Sequence, residues 1–170
     1  MSYGNMIAMK YTPFDTMNCS LAQTLTVIGE RWTLLILRDA FFGVKRFSQF
    51  QARLGIARNV LSSRLNQLVE EGILIKRSKA EGGHAEYVLT EKGLALQPVL
   101  LAMTHWGDEY KPHPKGARLE FVERSSGVGI RTMSAVSQDG RRLSPREIKA
   151  VLGPGLADED SQLLTQREPD

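Results

Sequence analysis

Apolar positions recur with a helical period from about residue 19 to residue 110, and the period is interrupted by a few glycines. Leu21, Leu25 and Ile28 form the first stripe, with Asn18 as the expected cap of a helix running from Cys19 to about Ile28. After Gly29, the stretch RWTLLILRDAFF is apolar nearly all round. It predicts a buried central helix from Arg31 to about Ala40, with Trp32 in the core. Gly43 ends that helix, and Val44 to Arg46 suits a very short strand. Phe47, Phe50 and Leu54 then mark a short helix that Ser48 helps to start. Gly55 turns the chain into ARNVLSSRLNQLVEEG, residues Ala57 to Gly72.

The two sides of that last segment differ sharply. Leu61, Leu65, Leu68 and Val69 share one face, and Asn59, Ser62, Ser63 and Asn66 fall opposite. The polar side carries short side chains and no acid before Glu70, with Arg58 and Arg64 at its flanks. A helix surface made only for water usually carries Glu and Lys pairs. A face of Asn and Ser between arginines suits hydrogen bonding to base edges in a DNA major groove. Two helices joined by a tight glycine turn predict a helix-turn-helix whose second helix is the reader.

Ile73 to Arg77 and Glu86 to Leu89 alternate as two strands around the tip KAEGGHAE. A hairpin directly after a helix-turn-helix is a wing, and basic wings lie along phosphates or in the minor groove. Lys76, Arg77, Lys79 and His84 are therefore candidate DNA contacts, with Arg46 from the same basic segment. Thr90 caps a predicted helix to about Tyr110, kinked by Pro98. Leu96, Val99, Leu100, Met103, Trp106 and Tyr110 occupy one face of it, and Leu94, Leu101 and Ala102 another. One small domain cannot easily cover both faces, whereas a second copy of the chain can. Those six residues are the candidate dimerisation set. His105 stands alone and reads as a packed or interfacial histidine rather than a metal ligand.

From KPHPKG onward the composition changes. Pro112 and Pro114 mark a linker; Arg118 to Arg124 and Gly129 to Val136 alternate as a β-hairpin. Asp139-Gly140 is an expected turn, Ser144-Pro145 opens a short helix to about Leu152, and the last 14 residues read as a disordered tail. The expected organisation is an arm (1–17), a winged helix-turn-helix with its dimerisation helices (18–111), and an appendix (112–170). The fold class is mainly α with a small β component.

Charge sharpens this picture. Net charge is +3, yet residues 45–79 hold eight basic residues against two acidic ones, while residues 116–170 hold eight against nine. The positive field sits on the predicted reader and wing, which points to a polyanion such as double-stranded DNA. No window is apolar enough for a membrane span, and MSYGNMIAMK has no basic cluster leading into an apolar run, so neither membrane nor secretory leader is expected. The single cysteine excludes an intrachain disulfide and favours a reducing cytoplasm. There is no Gly-rich phosphate loop, no Gly-x-Ser-x-Gly and no metal cluster, and the three histidines are isolated. Neither an enzyme nor a cofactor is expected. The rival to DNA binding is a winged helix used for protein contacts, with the appendix as its working surface.

The segments CSLAQTLTVIGERWTLLILRDAFFGVKRFSQF, LSSRLNQLVEEGIL and EYVLTEKGLAL together resemble the HxlR family of bacterial winged-helix transcriptional regulators. The resemblance covers Cys19 to about Tyr110. It implies a homodimeric regulator on an inverted-repeat operator, with the terminal helices building the dimer and a small molecule or redox change as the signal. Two positions depart from the family. Ala57 stands where a Ser-like cap is usual, which loses a capping bond of about 1 kcal/mol unless Ser62 and the preceding loop compensate, and Cys19-Ser20 replaces the frequent Cys-Pro. Redox-sensing members use a cysteine at the position matching Cys19, and a thiol in the first turn of a helix gains reactivity from the helix dipole. With one thiol per chain, sensing requires a bridge across a dimer, or direct oxidation or alkylation. The opposing reading is that Cys19, beside Met17 and Leu21, is a small packed hydrophobe.

Overall fold

The computed structural model describes residues 13–78 and 84–155. The chain forms two compact units that divide between Gln97 and Pro98. The wing residue Lys79, most of the arm and the tail beyond Gly155 lie outside the described residues.

The first unit opens with a 3-10 turn, Phe14–Thr16, followed by α1 at Ser20–Ile28. The end of the expected arm is thus a defined turn. Gln23 pins it by donating its side-chain amide to the carbonyls of Phe14, Asp15 and Met17 at 3.2, 3.1 and 2.9 Å. The helix starts one residue later than the pattern suggests. Cys19 is the N-cap, in extended conformation, and its carbonyl accepts the first helical bond from Gln23 at 2.9 Å. Only Ala22 and Ile28 of α1 are buried; Leu21 is 67% exposed and Leu25 is also open. Two thirds of the apolar stripe therefore faces outward.

Helix α2 (Arg31–Phe41) is the centre of the unit, with Thr33, Ile36, Leu37 and Asp39 buried. Trp32 is only half-buried at its edge. Helices α3 (Phe47–Leu54) and α4 (Arg58–Glu70) pack on it through Phe50, Leu61, Leu65 and Leu68, all fully buried. Gly55 makes the turn between them at φ 60°, the left-handed region where a side chain is costly. The start of α3 is secured by Gln49, whose side-chain oxygen accepts from the Arg46 backbone N–H at 3.1 Å, rather than by Ser48.

Strands β1 (Leu74–Arg77) and β2 (Glu86–Leu89) pair antiparallel, with Leu74 opposite Leu89 and Lys76 opposite Tyr87. The inward face is Leu74 and Tyr87, while Ile75 points out. Ile73 is buried too, but it precedes the strand, so the alternation shifts by one from that expected. The predicted strand at Val44–Arg46 shrinks to a bridge between Arg46 and Glu86, with the Tyr87 N–H donating to the Lys45 carbonyl at 2.8 Å.

Thr90 caps α5 (Glu91–Leu94), accepting from the Gly93 N–H at 3.1 Å, and its hydroxyl donates to the Gly72 carbonyl at 2.7 Å. The single helix expected from Thr90 to Tyr110 is broken at Ala95–Leu96, and α6 spans Gln97–Tyr110. Pro98 is the reason. It has no N–H for the Leu94 carbonyl, so it cannot sit in a helix interior without cost and occupies the first turn of a new one.

In the second unit, none of the α6 residues is fully buried. The two alternating stretches of the appendix do not become regular strands. They form two small loops, each closed by one bridge: Val122 with Gly129, and Val136 with Arg142. The Asp139-Gly140 turn forms as expected, with Gly140 at φ 84°. The helix expected at Ser144 is one 3-10 turn, Pro145–Glu147. The Glu147 carboxyl is held below the usual carboxylate range by the Ser144 N–H at 2.8 Å and then by Arg141 at 2.7 Å.

Candidate nucleic-acid interface

One face of the first unit is built from the start of α3, the exposed side of α4 and the paired strands. On α4, Arg58, Asn59, Ser62, Ser63 and Asn66 are all exposed, opposite the buried Leu61, Leu65 and Leu68. Helical phase alone produces this division. The first turn lacks a side-chain cap because its N-cap is Ala57, so its backbone N–H groups and positive dipole end stay available to an acceptor outside the helix.

Beside α4 lies a cleft of about 320 Å³, lined by Arg46, Phe47, Arg58, Lys76, His84 and Tyr87. It gathers residues from three elements that are far apart in the chain. The Arg58 guanidinium lies 5.2 Å from the Phe47 ring centroid, a cation–π contact that orients it without using its donors. The Lys76 ammonium sits 5.9 Å from the Tyr87 centroid. Arg46 makes a loose pair with Glu86 at 3.6 Å. Several cationic donors thus surround a concave space beside the polar face of a helix, which is an arrangement for holding phosphate. Phe47 and Tyr87 were not among the sequence candidates. Their role as platforms depends on where the turn and the wing place them.

Arg64 differs from the other candidates. Its guanidinium donates to the Gln67 side chain at 2.8 Å and pairs with Glu30 at 3.7 Å, while Gln67 donates to the Thr26 carbonyl at 3.3 Å. It ties α4 to the end of α1 and competes with any DNA contact. Arg77 and His84 are exposed on the wing.

Behind this face, Asp39 is fully buried and charged groups converge on both its oxygens. Arg38 donates to Oδ1 at 3.0 and 2.9 Å, and Arg53 donates to Oδ2 at 3.1 Å. Arg53 belongs to α3 and Asp39 to α2, so this network fixes the first helix of the helix-turn-helix against the central helix.

A helix-turn-helix followed by a two-stranded wing, with an exposed polar face on its second helix and a basic cleft beside it, defines a winged-helix DNA-binding protein. The HxlR-like helix-turn-helix family model matches residues 27–115. The transcriptional regulator Rv3095 of Mycobacterium tuberculosis is 41% identical over 139 residues, covering 81% of this chain and 87% of that protein. YdeP of Bacillus subtilis, another helix-turn-helix regulator, is 33% identical over 107 residues, covering 62% of this chain and 84% of that one. Among solved structures, PA1607, a candidate transcription factor, superposes with a TM-score of 0.76 at 39% identity, covering 82% of this chain and 99% of its own. The redox regulator HypR in its reduced form superposes with a TM-score of 0.51 at 30% identity, covering 55% of this chain and 94% of its own. The chain belongs to the HxlR-like family and is a transcriptional regulator of the winged-helix type, not an enzyme.

The match to Rv3095 covers 81% of this chain, more than the family model's span of residues 27–115. Because the match covers 81% of the 170-residue chain, it must run on well past residue 115, where the family model ends. Part of the appendix is thus shared with that relative although it lies outside the family core. No described helix is long and apolar enough to cross a membrane.

Proposed function

We propose that the chain is a sequence-specific DNA-binding regulator that acts in the cytoplasm as a homodimer on an inverted-repeat operator. The carrying observation is the exposed face of α4. Asn59, Ser62, Ser63 and Asn66 line up on it with no acidic side chain among them. In this reading they meet base edges in the major groove while Arg58 and Arg46 hold flanking phosphates. Lys76, Arg77, Lys79 and His84 make the wing a second phosphate contact.

The dimer is supported by two open apolar stripes. On α6, Val99, Met103, Trp106 and Tyr110 recur at spacings of four, three and four, and Trp106 and Tyr110 are each 59% exposed. Leu96 and Leu100 flank them. On α1, Leu21 and Leu25 are open. Apolar stripes of this size on a soluble domain mark an interface, and a palindromic operator needs two readers related by a twofold axis.

The signal is a small molecule or a redox change. An exposed Cys19 thiol at the cap of α1 supports the second option, as does the similarity to HypR. Peroxide or quinone treatment of the purified dimer should then weaken operator binding in the wild type and leave Cys19→Ser unaffected; equal affinities before and after would remove the redox limb.

Footprinting on the DNA upstream of the protein's own gene tests the whole reading. Two protected half-sites centred about 34–36 Å apart, or a multiple of that, are expected. Weak uniform protection of any DNA would leave a protein-interaction module as the better account.

A further inference from the structure

We infer that the second unit carries a binding site for an organic cation with a flat apolar body. The site is a groove of about 480 Å³ between α6 and the first loop of the appendix. That volume falls within the range of sites for small organic ligands, roughly 300–1,000 Å³. Its walls include Phe121 and Ile130, and Phe121 meets the His105 ring edge-on with centroids 6.1 Å apart. The Nδ1 of His105 is buried and has no hydrogen-bond partner among the described residues. Asp108, Glu109 and Glu120 line the same groove.

The charge pattern selects the ligand class. The lining carries three carboxylates and no Lys or Arg. Arg118, just outside it, pairs with Asp108 at 3.0 Å and also donates to the Lys111 carbonyl at 3.0 Å. One negative charge is thereby offset, and Glu109 and Glu120 remain to set the field. An anionic ligand would meet repulsion, and a neutral one would forgo the attraction. An ammonium or amidinium group on an aromatic body would place its charge among the glutamates and its ring against Phe121.

The consequence for regulation rests on the function proposed above. His105, Asp108 and Glu109 lie on α6, whose other face carries the proposed dimer stripe. Filling the groove would therefore bias the helix on which dimer geometry depends, making the cation an effector.

The binding measurements use the whole chain without DNA, so the test of the site itself does not depend on operator recognition. Equilibrium dialysis is run with 1-naphthylmethylammonium, its neutral alcohol analogue and 1-naphthoate. Saturable binding of the cation is expected, with the alcohol and the anion on the order of tenfold weaker or more. Phe121→Ala should cost roughly tenfold. The surface double variant Glu109→Gln, Glu120→Gln keeps the walls intact and should abolish the preference for the cation. Equal binding of all three probes, no saturable binding, or indifference to the double variant would overturn the site. Binding seen only in a monomeric Met103→Glu variant would mean that a second copy fills the groove, and would overturn it too. Unchanged operator affinity in the presence of saturating cation would overturn the effector role while leaving the DNA-binding reading intact.

Discussion

Asp39 is a buried charge whose two oxygens face arginines from two different helices. Removing one partner of such a network leaves the others without compensation, at a cost of about 3–5 kcal/mol. Arg38 and Arg53 are each about half exposed, with side chains 40% and 51% accessible. They can turn to water, so Asp39→Ala should cost nearer the lower figure, about 3 kcal/mol, in urea unfolding. A loss below about 0.5 kcal/mol, the level of an ordinary surface substitution, would mean that the network does not fasten α3 to α2. Phe47→Leu addresses the cleft instead. It keeps an apolar side chain under Arg58 but removes the ring. A stacking loss of about 0.5–1 kcal/mol corresponds to roughly twofold to fivefold weaker binding to all DNA. Unchanged affinity in an anisotropy titration would show that the ring does not orient Arg58 for DNA.

Helices α3 and α4 were legible in the sequence because their periods end at glycines that must adopt positive φ, as Gly55 and Gly72 do. Other elements were less legible, for physical reasons. The break before α6 turns on one missing donor at Pro98, which a periodic pattern does not register. Leu21 and Leu25 fit a helical stripe, but the stripe does not say which of its members the same chain covers. Alternation in the appendix suggested strands, yet alternation yields a strand only where a partner strand and a covering layer exist. There it yielded single bridges. The cleft was invisible because it joins residues from α3, α4 and the wing. For the wing, Lys76→Ala with Arg77→Ala should lower affinity for every sequence and flatten the salt slope by about 0.9 per lost contact. A slope equal to that of the wild type would move the wing off the phosphates.

Gly93 joins elements within the first unit. A Cβ there would stand 2.3 Å from the Ile73 carbonyl oxygen and 2.9 Å from the Leu89 side chain. The backbone of α5 therefore sits directly on the start of the wing, and only glycine allows that approach. Gly93→Ala should lower thermal stability by an amount typical of core overpacking, about 1–3 kcal/mol; a melting temperature equal to the wild type's would contradict the packing.

At the scale of the whole molecule, the proposed dimer makes the clearest demand. A charge at Leu100 or Met103 would be buried unpaired in a two-copy interface. Leu100→Glu with Met103→Glu should give monomers by light scattering and lose operator binding, while the monomer keeps weak nonspecific affinity. A soluble double variant that remains dimeric and binds as tightly as before would place the interface elsewhere.

The central claim is that the polar face of α4 reads base sequence. It is tested most directly by anisotropy titration of wild type, Asn59→Ala and Ser63→Ala against the footprinted operator and a scrambled duplex, at one fixed salt concentration. Each substitution should weaken operator binding by roughly 1–3 kcal/mol per half-site contact and leave the scrambled duplex almost unaffected, so that the ratio of the two affinities falls. Equal losses on both duplexes, or no loss on either, would contradict the assignment of α4 as the reader.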